Sequence, residues 1–395
     1  MKRFKFLIIP IVVMIIFSVL FNSYIDREYE ILKGQKDITS VKHTYNHIVR
    51  DRGGLLKDII KDEGDLILLG SSELSSPVEQ NPINFFPFNG ADYDISILGR
   101  AYTQSLQHST IISNTKDINT EDKIAIIVSA QWFESADGIY GGNFSVNFSE
   151  MQFYDFLNNE KISKENKIYY AKRISSLLRQ SGEFGEERIY ANLYARDNFL
   201  SKTLLTILKP YYNFKEYMLE TKDKVQTINI LRSLDDKKEK ALKDINWDEE
   251  YKKAEEIASS KVTNNDIYVE DEYYDTYLRD KYESLKDSWK DVDLLNSKEM
   301  SDYEFFLDVC NEMNIKPLII LMPVNGLYYD HLGLTLDKRT DFYNKIENMS
   351  KEKGFDVLNL QNKEYEKYYM YDAMHLGWKG WLTIDEEMYK YFKEK

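Results

Sequence analysis

Five short apolar runs, each closed by glycine, proline or polar residues, set the frame of the chain. Leu66-Ile67-Leu68-Leu69 stops at Gly70, Ile95-Ser96-Ile97-Leu98 at Gly99, and Ile124-Ala125-Ile126-Ile127-Val128 at Ser129. Leu318-Ile319-Ile320-Leu321 precedes Pro323, and Phe355-Asp356-Val357-Leu358-Asn359-Leu360 is the last. Runs of this length without alternation suit strands buried on both faces, as in parallel sheets. Residues 102–113, 301–313 and 337–353 read as helices, the last with Phe342, Ile346 and Met349 at helical spacing. Strands alternating with helices predict an α/β fold, a doubly wound, five-stranded, mostly parallel sheet with right-handed crossovers.

Between about residues 144 and 296 the pattern changes to long charged and tyrosine-rich stretches, such as Glu249-Glu250-Tyr251-Lys252-Lys253-Ala254-Glu255-Glu256, with few strand candidates. The expected organisation is a core in two parts, 26–143 and 297–395, interrupted by a mainly helical insertion, 144–296. Most of that insertion reads as solvated scaffold, yet insertions at strand ends often wall an active site.

The N-terminus adds a membrane expectation. Lys2, Arg3 and Lys5 precede an apolar stretch over residues 6–21, near the lower limit of the roughly 17–25 residues that span a bilayer. A cleaved signal peptide shares this layout, but no A-x-A-like cleavage site follows. Residues 1–25 are therefore expected to form a single-pass anchor, with the cations holding the N-terminus in the cytoplasm and the remainder outside the cell. The single cysteine, Cys310, lies in an apolar helical stretch and reads as a packing residue. A formal charge of −14 argues against a general nucleic-acid binder.

Ligands of open α/β sheets bind beyond the carboxyl ends of the strands. Ser71 and Ser72, Gly99, Gln131 and Trp132, Asn325, and Asp372 with His375 all fall at such ends. A serine hydroxyl needs a base, a histidine needs a carboxylate to fix its tautomer, and the tetrahedral intermediate needs donors at its oxyanion. Ser72 as nucleophile, His375 as base and Asp372 as orienting acid meet the first two needs. The backbone N–H groups of Ser72 and Gly99 and the amide of Gln131 are the candidate donors. Trp132, Asn325, Trp378 and Trp381 are candidates to line a substrate groove.

Each piece alone has a plainer meaning. Gly70-Ser71-Ser72-Glu73 could be a helix N-terminus, Asp372-x-x-His375 a surface turn or half of a metal site, and the tryptophans core packing. Asp330-His331 reads as a satisfied loop pair. No cofactor or metal site is indicated.

Taken in order, the strand-Gly70-x-Ser72 turn, Gly99, a polar residue after the third strand and Asp372-x-x-His375 resemble the SGNH (GDSL-like) hydrolase superfamily. Within it, Gly70-Ser71-Ser72-Glu73-Leu74, Gln131-Trp132-Phe133, Pro323-Val324-Asn325-Gly326-Leu327-Tyr328-Tyr329-Asp330-His331 and Asp372-Ala373-Met374-His375-Leu376-Gly377-Trp378-Lys379-Gly380-Trp381 resemble the DltD family of D-alanyl-lipoteichoic acid biosynthesis proteins over essentially the whole chain. The resemblance implies an SGNH, flavodoxin-like core and a membrane-anchored, outward-facing enzyme of a Gram-positive cell. It also implies a role in attaching D-alanine to lipoteichoic acid, a D-alanyl donor, and two membrane partners, the acyltransferase DltB and the small peptide DltX. Gln131 departs from the superfamily, which carries asparagine there. Two other readings stay open: an extracellular esterase or thioesterase that removes misplaced acyl groups, and a non-catalytic scaffold of the D-alanylation machinery.

Overall fold

A computed structural model of the chain describes residues 2–238 and 241–393, with the side chains of residues 2–8, 11 and 15 outside the description. The apolar runs form one sheet of five strands, β1 (Leu66–Leu69), β2 (Ile95–Leu98), β3 (Ile124–Val128), β4 (Leu318–Leu321) and β5 (Val357–Asn359). All neighbours pair in parallel, in the order β2-β1-β3-β4-β5. This is the doubly wound order whose crevice opens where the winding reverses, between β1 and β3. The last strand is shorter than the sequence suggests, and its three residues are half-buried, though Asp356 and Leu360 on either side still bond Ile319 and Leu321 of β4.

The helices that matter to the site are α1 (Lys2–Leu32), α2 (Leu55–Asp62), α3 (Ser105–Ser113), α4 (Lys164–Ser181), α5 (Gly185–Arg196), α6 (Phe199–Ser233), α7 (Trp247–Lys261), α8 (Lys298–Met313), α9 (Leu336–Glu352) and α10 (Trp378–Lys393). Strand residues alternate between two cores. Ile67, Leu69, Ile126 and Leu321 join α2, α3, α8 and α9 on one face; Leu66, Leu68, Ile127 and Ile320 join α7 and α10 on the other. Period-2 side-chain direction sorts an unbroken apolar run onto two sides, so both faces need helices.

Two expected helix boundaries move for local reasons. The first helix starts at Ser105, since Tyr102 takes a left-handed backbone (φ 69) that a helix cannot continue. The second starts earlier, at Lys298, where the Ser297 side chain accepts from the Glu299 N–H. Between β3 and β4 the described residues form helices and turns without a strand. These helices do not stand apart: Phe153, Tyr154, Ile174 and Leu178 belong to the same core as β1 and β3.

The expected anchor over residues 1–25 lies partly on side chains outside the description. Lys2–Leu32 is one continuous helix with Pro10 inside it. Among the described residues, however, no helix is long and apolar enough to cross a membrane.

Candidate active site

After β1 the chain turns at Gly70 and enters a short 3-10 turn, Ser72–Ser75, which lifts Ser72 to the carboxyl edge of the sheet. Some 300 residues later, the segment after β5 folds back as a closed loop. Tyr371 donates its N–H to the His375 carbonyl (2.8 Å), and Met370 bridges Leu376. Asp372 shapes this loop from inside: its Oδ1 accepts the N–H groups of Met374 (2.7 Å) and His375 (2.8 Å). Its Oδ2 lies 2.8 Å from His375 Nδ1, and His375 Nε2 lies 3.1 Å from Ser72 Oγ. A carboxylate can only accept, so Nδ1 carries the hydrogen and Nε2 turns its lone pair to the serine hydroxyl.

Asp372 is buried, whereas His375 and Ser72 remain partly open to solvent. Burial alone would depress the His375 pKa. The hydrogen bond and charge of Asp372, helped by Glu73, outweigh it and raise the pKa above its ordinary 6.5.

Gly99, which closes β2, has φ +134. A methyl group placed there would sit 1.8 Å from the Gly70 carbonyl oxygen, so only glycine lets the turns after β1 and β2 meet. The backbone N–H groups of Ser72 and Gly99 have no acceptor among the described residues.

The remaining expected residues take other places. Gln131 follows β3 as foreseen, but its Nε2 donates to the Met374 carbonyl (3.4 Å), bracing the histidine loop. Trp132, Trp378 and Trp381 are buried, Trp132 against the His108 ring, and so serve packing rather than a groove wall. Asn325 is buried too: it donates to the Ile267 carbonyl (2.7 Å) and accepts the Tyr328 N–H (3.0 Å), which caps a helix. The Leu376–Trp381 run is thus largely structural. At Gly380 a methyl group would lie 2.3 Å from the Tyr369 carbonyl, and the glycine lets α10 press against the loop. Asp330 bonds Arg339 and Tyr365, while His331 stacks on Tyr282 and bonds its carbonyl, so the pair is held by separate partners.

Sequence reasoning missed three supports. Ser76 Oγ donates to the Leu376 carbonyl (2.8 Å), tying the serine turn directly to the histidine loop. The Glu270 N–H donates to the Tyr371 carbonyl (2.8 Å), so the insertion braces the same loop. Glu73, in a segment that alone could read as a helix N-terminus, folds inward, and its Oε1 accepts the Ser71 N–H at 2.6 Å. Burial pushes its carboxyl up to about 7, against the pull of its own and the Ser71 N–H groups and of His375. No spacing rule reveals the first two, since they pair residues far apart in the chain. His43, which has no carboxylate near it in sequence, likewise lies 2.8 Å from Asp94.

Glu73 gives a pH-dependent expectation. Its folded pKa is near 7 and its ordinary value 4.5, so the stability it contributes is present below 4.5 and lost as pH rises to 7. Glu73→Gln should remove this loss. Urea midpoints of the two proteins at each end of that window measure it, and a constant difference between them would contradict the assignment.

The fold and this geometry define a doubly wound α/β protein that presents a serine, a histidine and an aspartate in one hydrogen-bonded line. Comparison with known sequences gives the narrower grouping. The model of the DltD protein family matches residues 42–393. Protein DltD of Bacillus subtilis (strain 168) is 30% identical over 343 residues, covering 87% of this chain and 86% of that protein. Protein DltD of Staphylococcus aureus (strain NCTC 8325 / PS 47) is 28% identical over 354 residues, covering 87% and 85%, and that of Lacticaseibacillus rhamnosus is 24% identical over 347 residues, covering 87% and 81%. The chain belongs to the DltD family.

Proposed function

We propose that this chain is a membrane-anchored, extracellular serine acyltransferase that moves D-alanine onto lipoteichoic acid. The DltD family takes part in the D-alanylation of teichoic acids. The single observation that carries the catalytic reading is the line Ser72–His375–Asp372 at 3.1 and 2.8 Å.

In the proposed first step Ser72 Oγ attacks the carbonyl carbon of the D-alanyl donor while His375 Nε2 takes the serine proton. The N–H groups of Ser72 and Gly99 receive the oxyanion, and Gln131 steadies the histidine loop. His375 then returns the proton to the departing group, which leaves a D-alanyl ester on Ser72. In the second step a glycerol hydroxyl of lipoteichoic acid loses its proton to His375 and attacks that ester, and the proton finally returns to Ser72. Asp372 holds the ring and stabilises the imidazolium in both steps. The N-terminal helix is the proposed anchor, and DltB and DltX are the proposed partners on the donor side.

The test is direct. Enzyme from cells given labelled D-alanine should carry one labelled alanyl group on the Ser72 peptide, found by mass spectrometry, and Ser72→Ala should abolish it. Label released only to water would favour an esterase. Full D-alanylation supported by a folded Ser72→Ala protein would leave only a scaffold.

A further inference from the structure

Beyond the catalytic edge, three features converge at one end of the molecule. Over residues 199–218, α6 shows solvent a row of large apolar side chains, Phe199, Leu200, Leu204, Ile207, Phe214 and Met218, with Phe199 86% exposed. They recur at helical spacing, so they form one contiguous face rather than scattered exposures.

The second feature is the direction of α1. Asn22 bonds Tyr217, Asp26 bonds Lys224, Tyr24 and Glu28 both bond Arg232, and just beyond the helices Lys36 bonds Asp236. The two helices therefore run the same way. The apolar opening of α1, where Val13, Phe17 and Leu20 are exposed, lies at the same end as the α6 row.

The third is charge. Arg179, Arg188 and Arg196 line a groove of about 490 Å³ together with Ile189 and Leu193. None of the three guanidinium groups has an ion pair or hydrogen bond among the described residues. In a chain of net charge −14, where cations have many carboxylates to choose from, three unpaired guanidinium groups are available to outside anions. Arg196 ends α5 three residues before Phe199 opens α6, so groove and apolar row adjoin.

We propose that this end is a lipid-docking surface: the α6 row enters the headgroup–acyl boundary of an anionic phospholipid bilayer, and the arginine groove takes lipid phosphates. Basic and apolar side chains side by side suit that boundary, and the apolar start of α1 continues the same surface. A neighbouring apolar helix would use the row but leave the arginines unmatched. The inference rests on the anchor reading above and extends it, since a second contact would fix the tilt of the catalytic edge over the membrane.

The full chain carries one native cysteine, Cys310, which is fully buried, so an introduced cysteine can be labelled selectively. Leu200→Cys, Phe17→Cys and, as a remote control, Tyr277→Cys would each carry an environment-sensitive fluorophore. The labelled chains would be reconstituted in phosphatidylcholine vesicles with or without phosphatidylglycerol, and quenched by lipids bearing shallow or deep spin labels. Position 200 should shift to the blue and be quenched more by the shallow label, and more strongly with phosphatidylglycerol. Position 17 should respond more to the deep label in both vesicles, and position 277 to neither. Adding Arg188→Glu and Arg196→Glu should reduce the response at 200 alone. Quenching at 17 without quenching at 200 would overturn the docking surface while sparing the anchor, whereas no quenching at 17 would overturn both. A blue shift at 200 without lipid quenching would mean that protein covers the row, and would overturn the proposal. Quenching at 200 that ignores both lipid charge and the arginine changes would overturn the phosphate contact.

Discussion

Replacing His375 with alanine should lower D-alanyl transfer by roughly 10³-fold or more while leaving the folded state intact. The ring is partly open, and its contacts at Nε2 and Nδ1 are with Ser72 and Asp372, so its removal empties the site without opening a core. The same geometry sets a pH profile. A histidine accepts the serine proton only when neutral, and Asp372 and Glu73 hold this one above its ordinary 6.5. Activity (kcat/KM) should therefore rise with pH through an acid limb centred above 6.5. Asp372→Asn takes away the charge that raises it, so the limb should move to lower pH while the maximal rate falls. A limb that stays in place in Asp372→Asn would show that His375 is not the group being titrated.

Gly99→Ala should be the most damaging small substitution for stability. The new methyl group would meet the Gly70 carbonyl oxygen at 1.8 Å, and that oxygen belongs to backbone whose N–H is already bonded to Leu98. It cannot swing aside as a side-chain tip would. Strain from the positive φ adds to the overlap, and together they should cost roughly 3 kcal/mol or more. Because relief must come from parting the turns after β1 and β2, Ser72 should move with Gly70. Denaturant midpoints measure the first effect, and transfer activity of the folded fraction the second. A loss below about 1 kcal/mol would mean that the turns have more room than the structure gives them.

The sheet was largely legible because parallel strands declare themselves as unbroken apolar runs, and four of the five sit where the pattern places them. The fifth is confined to Val357–Asn359, although the flanking Asp356 carbonyl and Leu360 N–H still bond Ile319 and Leu321 of β4. The three residues of the hydrogen-bonded line were also legible, since each stands at or beyond a strand end and Asp372 lies three residues before His375. What spacing could not reveal was which way a side chain faces. Trp132, Trp378 and Asn325 occupy strand-end segments, yet they turn into the protein because their bulk or their amide satisfies packing there. Glu73 illustrates the reverse: a residue that looks like a solvated cap is folded under the serine turn.

The bond from Ser76 to Leu376 and the Ser72–His375 contact, which joins residues 303 apart, have a consequence for biosynthesis. Contacts of such sequence separation close the largest loops in a chain and carry the greatest entropy of closure. A nascent chain can complete β1 to β4 and still hold Ser72 without its histidine. Ser72 meets its histidine only after the segment beyond β5 has folded back and α10 has seated against the histidine loop, so the hydrogen-bonded line is among the contacts that assemble late.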